Sequence, residues 1–203
     1  MVTLAVALIG SYLVGSFPTG YLLVKRLKRV DVRSVGSGNV GATNVTRVAG
    51  AWAGRAVFLM DVAKGLIAVL GLAPWLVHPV SPTAQLACGL AAVVGHAFPV
   101  FLKFQGGKGV ATTIGVLIGA MPAVAGVSLV VWISCFAIWR YVSVGSLAAA
   151  AAIPIAQMVT RRPPAELLLG AALALLIVVR HRANIERLLE GREHRFAKRA
   201  GSS

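Results

Sequence analysis

Long apolar runs are the feature that most constrains the fold of this 203-residue chain. Residues 1–24, 56–75, 84–102, 142–160 and 165–179 carry few charges, and each approaches the about 20 residues that an α-helix needs to cross a bilayer. With 58% hydrophobic residues and a mean hydropathy of +0.82, the chain has more apolar content than a soluble core requires. We therefore predict an all-α polytopic membrane protein.

The uncharged segment 110–139 decides the number of spans. As one helix it would be about 45 Å long, too long for a simple crossing, and Met121-Pro122 interrupts it. If the break makes a hairpin, the chain has seven spans, and nearly all basic residues lie on one side, with Arg161 and Arg162 opposite. A single span would move Arg140 and the basic tail outside. The positive-inside rule favours seven transmembrane helices, with the N-terminus outside and the C-terminus cytoplasmic.

The rest of the composition is consistent with one membrane domain. Residues 1–203 are predicted to form a single integral-membrane domain in which 181–203 is a basic cytoplasmic tail. The first run lacks a basic leader, so we expect a retained span rather than a cleaved signal peptide.

A formal net charge of +14 would suggest nucleic acid in a soluble protein. Here the basic residues flank apolar runs and indicate anionic lipids and anionic substrates, with no nucleic acid partner. Cys88 and Cys135 predict no disulfide.

Residues 36–44, Gly-Ser-Gly-Asn-Val-Gly-Ala-Thr-Asn, form a polar glycine-rich stretch in this apolar chain. Its three glycines would let consecutive N–H groups turn inward as a nest for phosphate or carboxylate oxygens. Thr43 and Asn44 suit a helix start, and Arg47 follows Thr43 by about one turn, so a helix N-terminus and a guanidinium would face the same anion. The alternative is a flexible linker, which seldom carries an arginine and several amides at this spacing.

Three further polar clusters fall on the same predicted face. Lys108 lies among glycines in residues 106–109, which suits a contact to phosphate, although an interfacial basic anchor is the common alternative. His181 and Asn184 follow the last span and would share one helix face. In the turn at 140–146, the Ser143 hydroxyl would reach the same pocket, while a plain boundary role is equally compatible.

Several familiar sites are excluded by the pattern. The glycines at 36–41 spell a dinucleotide fingerprint, but no strand precedes them. A P-loop fails because Ala42 stands where lysine is required. No serine nucleophile elbow and no metal-ligand cluster is evident, so we expect neither metal nor cofactor. Asp61 and Lys64, three residues apart within a span, are expected to neutralise each other, and His96 is expected to be a packing histidine.

Over residues 15–195, in register, the chain closely resembles the bacterial acyl-phosphate:glycerol-3-phosphate acyltransferases, the PlsY family. The residues that carry the resemblance are Gly15-Ser16, Gly20, 31–47, Asp61, Lys64-Gly65, Gly95-His96, Pro99, 106–112, Arg140-Tyr141, Ser143, His181-Arg182, Asn184-Ile185 and 191–193. The resemblance implies a seven-helix bacterial inner-membrane enzyme with its motifs facing the cytoplasm. It also implies transfer of a fatty acyl group from acyl phosphate to the sn-1 hydroxyl of glycerol 3-phosphate, giving lysophosphatidic acid and phosphate for phospholipid biosynthesis.

On this resemblance, we predict the roles of individual residues. The predicted catalytic residues are Ser37, Arg47, Lys108, His181 and Asn184, which would hold glycerol 3-phosphate and bring its hydroxyl to the acyl carbon. The predicted substrate-binding residues are Gly36, Gly38, Asn39, Gly41, Ala42, Thr43, Asn44, Gly106, Gly107, Ser143 and Glu193. Among these, the amides around 38–43 are assigned to the phosphoryl group of acyl phosphate. The base is either His181 or the acceptor's own phosphate.

A transporter or channel for a phosphorylated solute is the competing hypothesis. Intramembrane Asp61 and Lys64 and glycine-broken segments also occur in carriers. That hypothesis predicts polar groups near the bilayer midplane and two related halves. This chain instead concentrates its polar clusters on one predicted face and shows no internal repeat, which favours the acyltransferase.

Overall fold

A computed structural model describes residues 2–196, and within that range the chain is helical with no β-strand. Met1 and residues 197–203, the end of the predicted basic tail, lie outside the described residues. The α-helices are α1 (Val2–Ser16), α2 (Thr19–Lys28), α3 (Ala42–Ala49), α4 (Ala51–Leu66), α5 (Ala73–Leu76), α6 (Pro82–Ala97), α7 (Val110–Ala120), α8 (Pro122–Trp139), α9 (Val142–Val159), α10 (Pro164–Arg180) and α11 (Arg182–Leu189). A π-helical segment, Ile67–Leu72, joins α4 to α5.

Five helical segments are long and apolar enough to cross a membrane: Val2–Lys28, Ala51–Leu76, Pro82–Leu102, Pro122–Trp139 and Val142–Val159. A sixth combines α10 with α11, which is bent away from it by 56°. Helix α7 has 11 residues, or about 16 Å, and is too short to cross the hydrocarbon core alone. The all-helical membrane architecture therefore agrees with the sequence, whereas the count of seven spans stays a prediction.

The predicted interruption of segment 110–139 lies where the sequence places it. Met121 leaves helical geometry, with φ −146° and ψ 68°, and Pro122 begins α8, where its missing N–H costs nothing. The break gives α7 and α8 separate axes. They can then form two walls of one groove, which a continuous helix could not do.

The two largest apolar clusters of the described residues form the main cores of the bundle. The larger joins α6, α7, α9 and α10 around Leu86, Leu117, Met121, Ile153 and Leu173. The smaller lies beneath the glycine-rich loop and joins Val24, Val32, Val40, Val45, Ala53, Val57 and Leu102. This second core anchors α3 and the loop before it to α2 and α4, so the polar residues of 36–47 rest on a packed base.

Glycines allow the helices to approach each other backbone to backbone. A Cβ built on Gly115 of α7 would lie 2.0 Å from the Val62 carbonyl oxygen of α4, and one on Gly65 would lie 2.2 Å from the Thr112 carbonyl oxygen. Gly15 and Gly95 make the same kind of contact between α1 and α6. Small residues at such crossings are typical of membrane helices. Gly119, one turn after Gly115, faces Val69 and Leu70, so both glycines of α7 serve helix packing.

We predict that Gly115→Ala lowers the thermal unfolding temperature of the protein in detergent. The added methyl would have to separate α4 from α7, and overpacking of about 1–3 kcal/mol exceeds the about 1 kcal/mol gained in helix propensity. Gly10→Ala is the matched control, because its Cβ would meet only Leu72 Cδ1 at 3.6 Å. Equal shifts for the two variants would contradict the close approach.

Candidate active site

A cavity of about 980 Å³ lies among α3, α7, α8, α9 and the α10–α11 junction. One end is polar and is lined by side chains from the glycine-rich loop, the Lys108 loop and α11. The other end is an apolar arm between α7 and α8, lined by Ile114, Leu117, Ile118, Leu129 and Trp132 among others. Such a shape accommodates a molecule with a charged head and a hydrocarbon tail.

Asn44 organises the glycine-rich loop. Its buried amide nitrogen donates to the carbonyl oxygens of Val32, Val35 and Asn39 at 2.9–3.2 Å, and its Oδ1 accepts the Ser37 N–H at 2.8 Å. Gly36 and Gly38 have φ values of +62° and +70°, which favour glycine. The loop therefore owes its shape to internal bonds centred on Asn44, and both polar atoms of the Asn44 side chain are engaged within the loop.

Fewer amides of the glycine-rich loop are available to an anion than the sequence predicted, because several are bonded within the loop. The N–H groups of Ser37, Gly38 and Gly41 are bonded to Asn44 Oδ1, the Val35 carbonyl oxygen and Asn39 Oδ1, respectively. Helix α3 begins at Ala42, so the amides of Ala42 and Thr43 precede its first helical hydrogen bonds. Both residues line the cavity, so the amides of this helix start can meet an anion.

Ser37 and Arg47 stand on either side of that helix start, and both line the cavity. Within the described part of the chain, neither side chain makes a hydrogen bond. Burial lowers the pKa of Arg47, with Glu193 opposing the shift, yet an arginine stays charged at any physiological pH. Arg47 is thus a cation facing the cavity whose hydrogen-bonding capacity is free for a ligand.

A chain of hydrogen bonds links the Lys108 loop to α11. Lys108 Nζ donates to Asn184 Oδ1 at 2.5 Å, Asn184 Nδ2 donates to Glu193 Oε1 at 2.7 Å, and Arg187 Nε donates to Glu193 Oε2 at 2.8 Å. Burial raises the pKa of Glu193, but these hydrogen bonds outweigh it and hold the pKa below its usual value. Glu193 is therefore an ionised carboxylate that orients Asn184 and Arg187.

Lys108 is less basic than an ordinary lysine. Burial lowers its pKa to about 8, the charges of Arg187, Arg47 and Arg180 add to that shift, and Glu193 opposes it. The ammonium is thus held in a site with an excess of positive charge. A bound anion would relieve that excess.

His181 is neutral at physiological pH and has a defined tautomer. Burial, with the nearby charge of Lys108, lowers its pKa to about 4. Its Nδ1 lies 2.8 Å from the Ile177 carbonyl oxygen, which can only accept, so Nδ1 carries the hydrogen. Nε2 then has a free lone pair on a residue that lines the cavity, and it can accept a hydrogen bond from a hydroxyl.

The C-terminal strap, residues 191–196, returns across the cavity. The Phe196 N–H donates to the Arg140 carbonyl oxygen at 2.9 Å, and the Phe196 ring meets Phe136 edge-on at 5.9 Å. Glu193 and His194 lie on the cavity wall between these contacts and α11. The strap therefore holds Glu193 in place from both ends.

Asp61 and Lys64 form the expected intrahelical pair. Lys64 Nζ lies 2.6 Å from Asp61 Oδ1, which also accepts the Thr19 hydroxyl at 2.7 Å. His96 Nδ1 lies 3.6 Å from the same oxygen. The prediction that the two charges neutralise each other is thus confirmed, although Asp61 and His96 also reach the cavity wall.

Most predicted site residues meet at this cavity, and three do not. The lining includes Gly36, Ser37, Asn39, Gly41, Ala42, Thr43, Asn44, Arg47, Lys108, Ser143, His181, Asn184 and Glu193. Gly38, Gly106 and Gly107 lie outside it. Gly38 shapes the loop, and Gly106 and Gly107 are pressed against His96 and Pro99, where a Cβ would come within 2.0–2.3 Å. Sequence reasoning missed Arg187, Arg192 and His194, which also line the cavity. Arg187 could have been found, because it lies three residues after Asn184 on the same face of α11. It also missed Arg180, for which no local signal exists.

No group of three His, Cys, Asp or Glu side chains able to hold a metal ion occurs within residues 2–196. What the site does contain is a set of cations, a helix start, a neutral histidine and an apolar arm. These suit binding and orientation of an anionic amphiphile next to a second, anionic substrate.

Comparison with known proteins agrees with this geometry. A family model described as glycerol-3-phosphate acyltransferase matches residues 5–191. The chain is 49% identical over 194 residues to a glycerol-3-phosphate acyltransferase of Myxococcus xanthus, covering 96% of this chain and 100% of that protein. It is 48% identical over 190 residues to the enzyme of that name from Desulforudis audaxviator, covering 93% of each.

A solved structure shares the fold. The crystal structure of PlsY (YgiH), an integral membrane glycerol 3-phosphate acyltransferase, in its glycerol 3-phosphate form superposes with a TM-score of 0.89. The two chains are 43% identical, and 96% of each is covered. Its lysophosphatidic acid form gives a TM-score of 0.86 at 41% identity. Because the family model matches residues 5–191 and these relatives match nearly the whole chain, the chain belongs to the glycerol-3-phosphate acyltransferase family.

Proposed function

We propose that this protein transfers a fatty acyl group from acyl phosphate to the sn-1 hydroxyl of glycerol 3-phosphate, releasing phosphate and lysophosphatidic acid. The observation that carries the proposal is that a cationic end and an apolar arm belong to one continuous cavity. Acyl phosphate has both features, a charged head and a hydrocarbon tail. The solved relatives, described in glycerol 3-phosphate and lysophosphatidic acid forms, support the acceptor and the product.

Glycerol 3-phosphate would bind at the cationic end. Arg47 and Lys108 would hold its phosphate by charge-assisted hydrogen bonds, and the Ser37 hydroxyl would complete the contact. Asn184 would act by holding the Lys108 ammonium in place. Ser143 and Glu193 belong to the same wall, where the ionised Glu193 would repel phosphate and so keep it on the cationic side.

Acyl phosphate would place its phosphoryl group at the start of α3. The amides of Ala42 and Thr43, with the positive end of the helix dipole, favour an anion there. Gly36, Gly38, Asn39, Gly41 and Asn44 would support this contact by shaping the loop, and Gly106 and Gly107 by shaping the lysine loop. The acyl chain would run along the apolar arm between α7 and α8.

The chemical step needs little beyond positioning. The sn-1 oxygen attacks the acyl carbon, the bond from that carbon to the phosphate oxygen breaks, and phosphate leaves with its electron pair. A mixed anhydride already has a good leaving group, so a covalent enzyme intermediate is unnecessary. His181 Nε2 would accept the attacking hydroxyl's hydrogen bond. Its low pKa favours a phosphate oxygen as the final proton acceptor.

The position of the polar loops and of the exposed basic residues supports an active site that faces the cytoplasm of a bacterial inner membrane. The loops at 36–44 and 106–109, the start of α9 and the α10–α11 junction converge on one cavity. The C-terminal end of α2 exposes four basic residues: Lys25, Arg26, Lys28 and Arg29. Anionic lipid headgroups would bind that basic surface. Seven crossings, with α7 as a short one, an outside N-terminus and a single domain over 1–203 complete the proposed topology.

Purified protein supplied with glycerol 3-phosphate and acyl phosphate is expected to form lysophosphatidic acid and phosphate in equal amounts. Mass spectrometry of the lipid product and a phosphate assay check this outcome. Acyl-CoA is the control donor, because its thioester lacks the phosphoryl group assigned to α3. Product from acyl-CoA but none from acyl phosphate would contradict the donor assignment.

Ser37→Ala, Arg47→Ala and Lys108→Ala are each expected to lower kcat/KM about 10²-fold or more, since each removes a group that positions the charged substrates. Steady-state kinetics on folded protein checks this. Arg55→Ala and Lys28→Ala are matched controls, because these exposed cations lie outside the cavity. A near-wild-type rate for any cavity variant removes that residue from the site.

The pH profile is expected to report Lys108. With a pKa of about 8, the Lys108 side chain is a charged ammonium below that pH and a neutral amine above it. The value of kcat/KM for glycerol 3-phosphate should therefore fall at alkaline pH. Lys108→Arg stays charged, and its residual activity should lack this alkaline limb. If Lys108→Arg kept the same fall in kcat/KM at alkaline pH, that fall would report another titrating group.

A further inference from the structure

Arg180, the last residue of α10, turns inward onto the backbone of the lysine loop. Its Nε donates to the Gly107 carbonyl oxygen at 3.0 Å and its Nη2 to the Gly106 carbonyl oxygen at 2.9 Å. Its guanidinium carbon lies 5.0 Å from the centre of the Phe98 ring. A planar guanidinium that bonds two consecutive carbonyls and stacks on a ring has a fixed orientation.

The opposite side of the same two glycines is also fixed. The Gly107 N–H donates to the His96 carbonyl oxygen at 3.0 Å. A Cβ on Gly106 would lie 2.2 Å from that oxygen, and one on Gly107 would lie 2.0 Å from His96 Nε2. The loop backbone therefore lies between α6 on one side and Arg180 on the other, with no space for side chains.

Lys108 directly follows these two fixed glycines, and its ammonium donates to Asn184 Oδ1 on α11. Arg180 directly precedes His181 and lies four residues before Asn184. The same helical junction thus holds the lysine loop through Arg180 and presents His181 and Asn184 to the cavity. A shift of the loop relative to this junction would change the distance from Lys108 to both.

We propose that Arg180 is a positioning residue that holds the Gly106–Gly107 backbone in register with the α10–α11 junction and thereby places the Lys108 ammonium for phosphate binding. Arg180 is not part of the cavity lining, so it acts through Lys108 rather than on substrate. An ordinary interfacial arginine would instead extend toward headgroups, as the neighbouring exposed Arg182 can. The proposal rests on the proposed binding of glycerol 3-phosphate by Lys108.

The test compares Arg180→Gln and Arg180→Lys with the matched control Arg182→Gln. Because small displacements of positioning groups have large kinetic effects, Arg180→Gln should raise the KM for glycerol 3-phosphate about tenfold or more and leave the KM for acyl phosphate little changed. Arg180→Lys keeps the charge but not the two-point contact, so it should restore only part of the loss. Arg182→Gln should behave as wild type.

A second readout does not depend on activity. The modification rate of Lys108 by an amine-reactive reagent, followed by mass spectrometry on substrate-free protein, should rise in Arg180→Gln and stay unchanged in Arg182→Gln. If wild-type protein makes no lysophosphatidic acid, the proposed function fails, while the labelling contrast still tests the placement of Lys108. A wild-type KM together with wild-type labelling in folded Arg180→Gln would overturn the proposal. If that variant does not fold, Arg180→Lys decides by the same two measurements.

Discussion

The lipid interior cannot hydrogen-bond a protein backbone, and the architecture of this protein depends on that constraint. Chain that crosses the hydrocarbon must be helical, and irregular backbone is tolerated only where protein or water satisfies it. Here the irregular segments around residues 36–41 and 103–109 are satisfied by side chains. Asn44 serves three carbonyl groups, and Arg180 serves two. The polar loops can therefore lie at the edge of an apolar bundle and remain ordered.

The same bonds leave an imbalance of charge inside the cavity. Arg47, Lys108 and Arg187 lie on the same cavity wall as Glu193, whose two oxygens are already engaged by Asn184 and Arg187. The other carboxylate of the wall, Asp61, is paired with Lys64. Lys108 is partly buried, and in such surroundings positive charge attracts an anion more strongly than it would in bulk solvent. Burial lowers the pKa values of Lys108 and His181, and nearby positive charges add to both shifts. The same cationic surroundings that favour an anion thus help to keep His181 neutral.

The role of each glycine at the site could not be predicted from the sequence. The glycines at 36, 38, 106 and 107 were all predicted to meet substrate. Gly36 lies on the cavity wall, whereas Gly106 and Gly107 meet His96 and Pro99, and Gly38 makes a turn. A glycine indicates that something approaches closely or that φ is positive. Its neighbours along the chain do not reveal whether a ligand, a helix or the loop itself is responsible.

The sequence by itself determined the features that depend on local pattern. These are the apolar helices, the break at Pro122, the Asp61–Lys64 pair, the family and many polar residues of the cavity wall. Hydrophobic pattern, proline geometry, i to i+3 spacing and motif identity can each be read from short stretches of sequence. The tertiary structure alone decided which amides stay free at the start of α3, that Glu193 is bound by Asn184 and Arg187, and that Arg180 grips the lysine loop. Those contacts join residues up to 74 positions apart. Only the packed bundle brings such residues together, since no local preference specifies them.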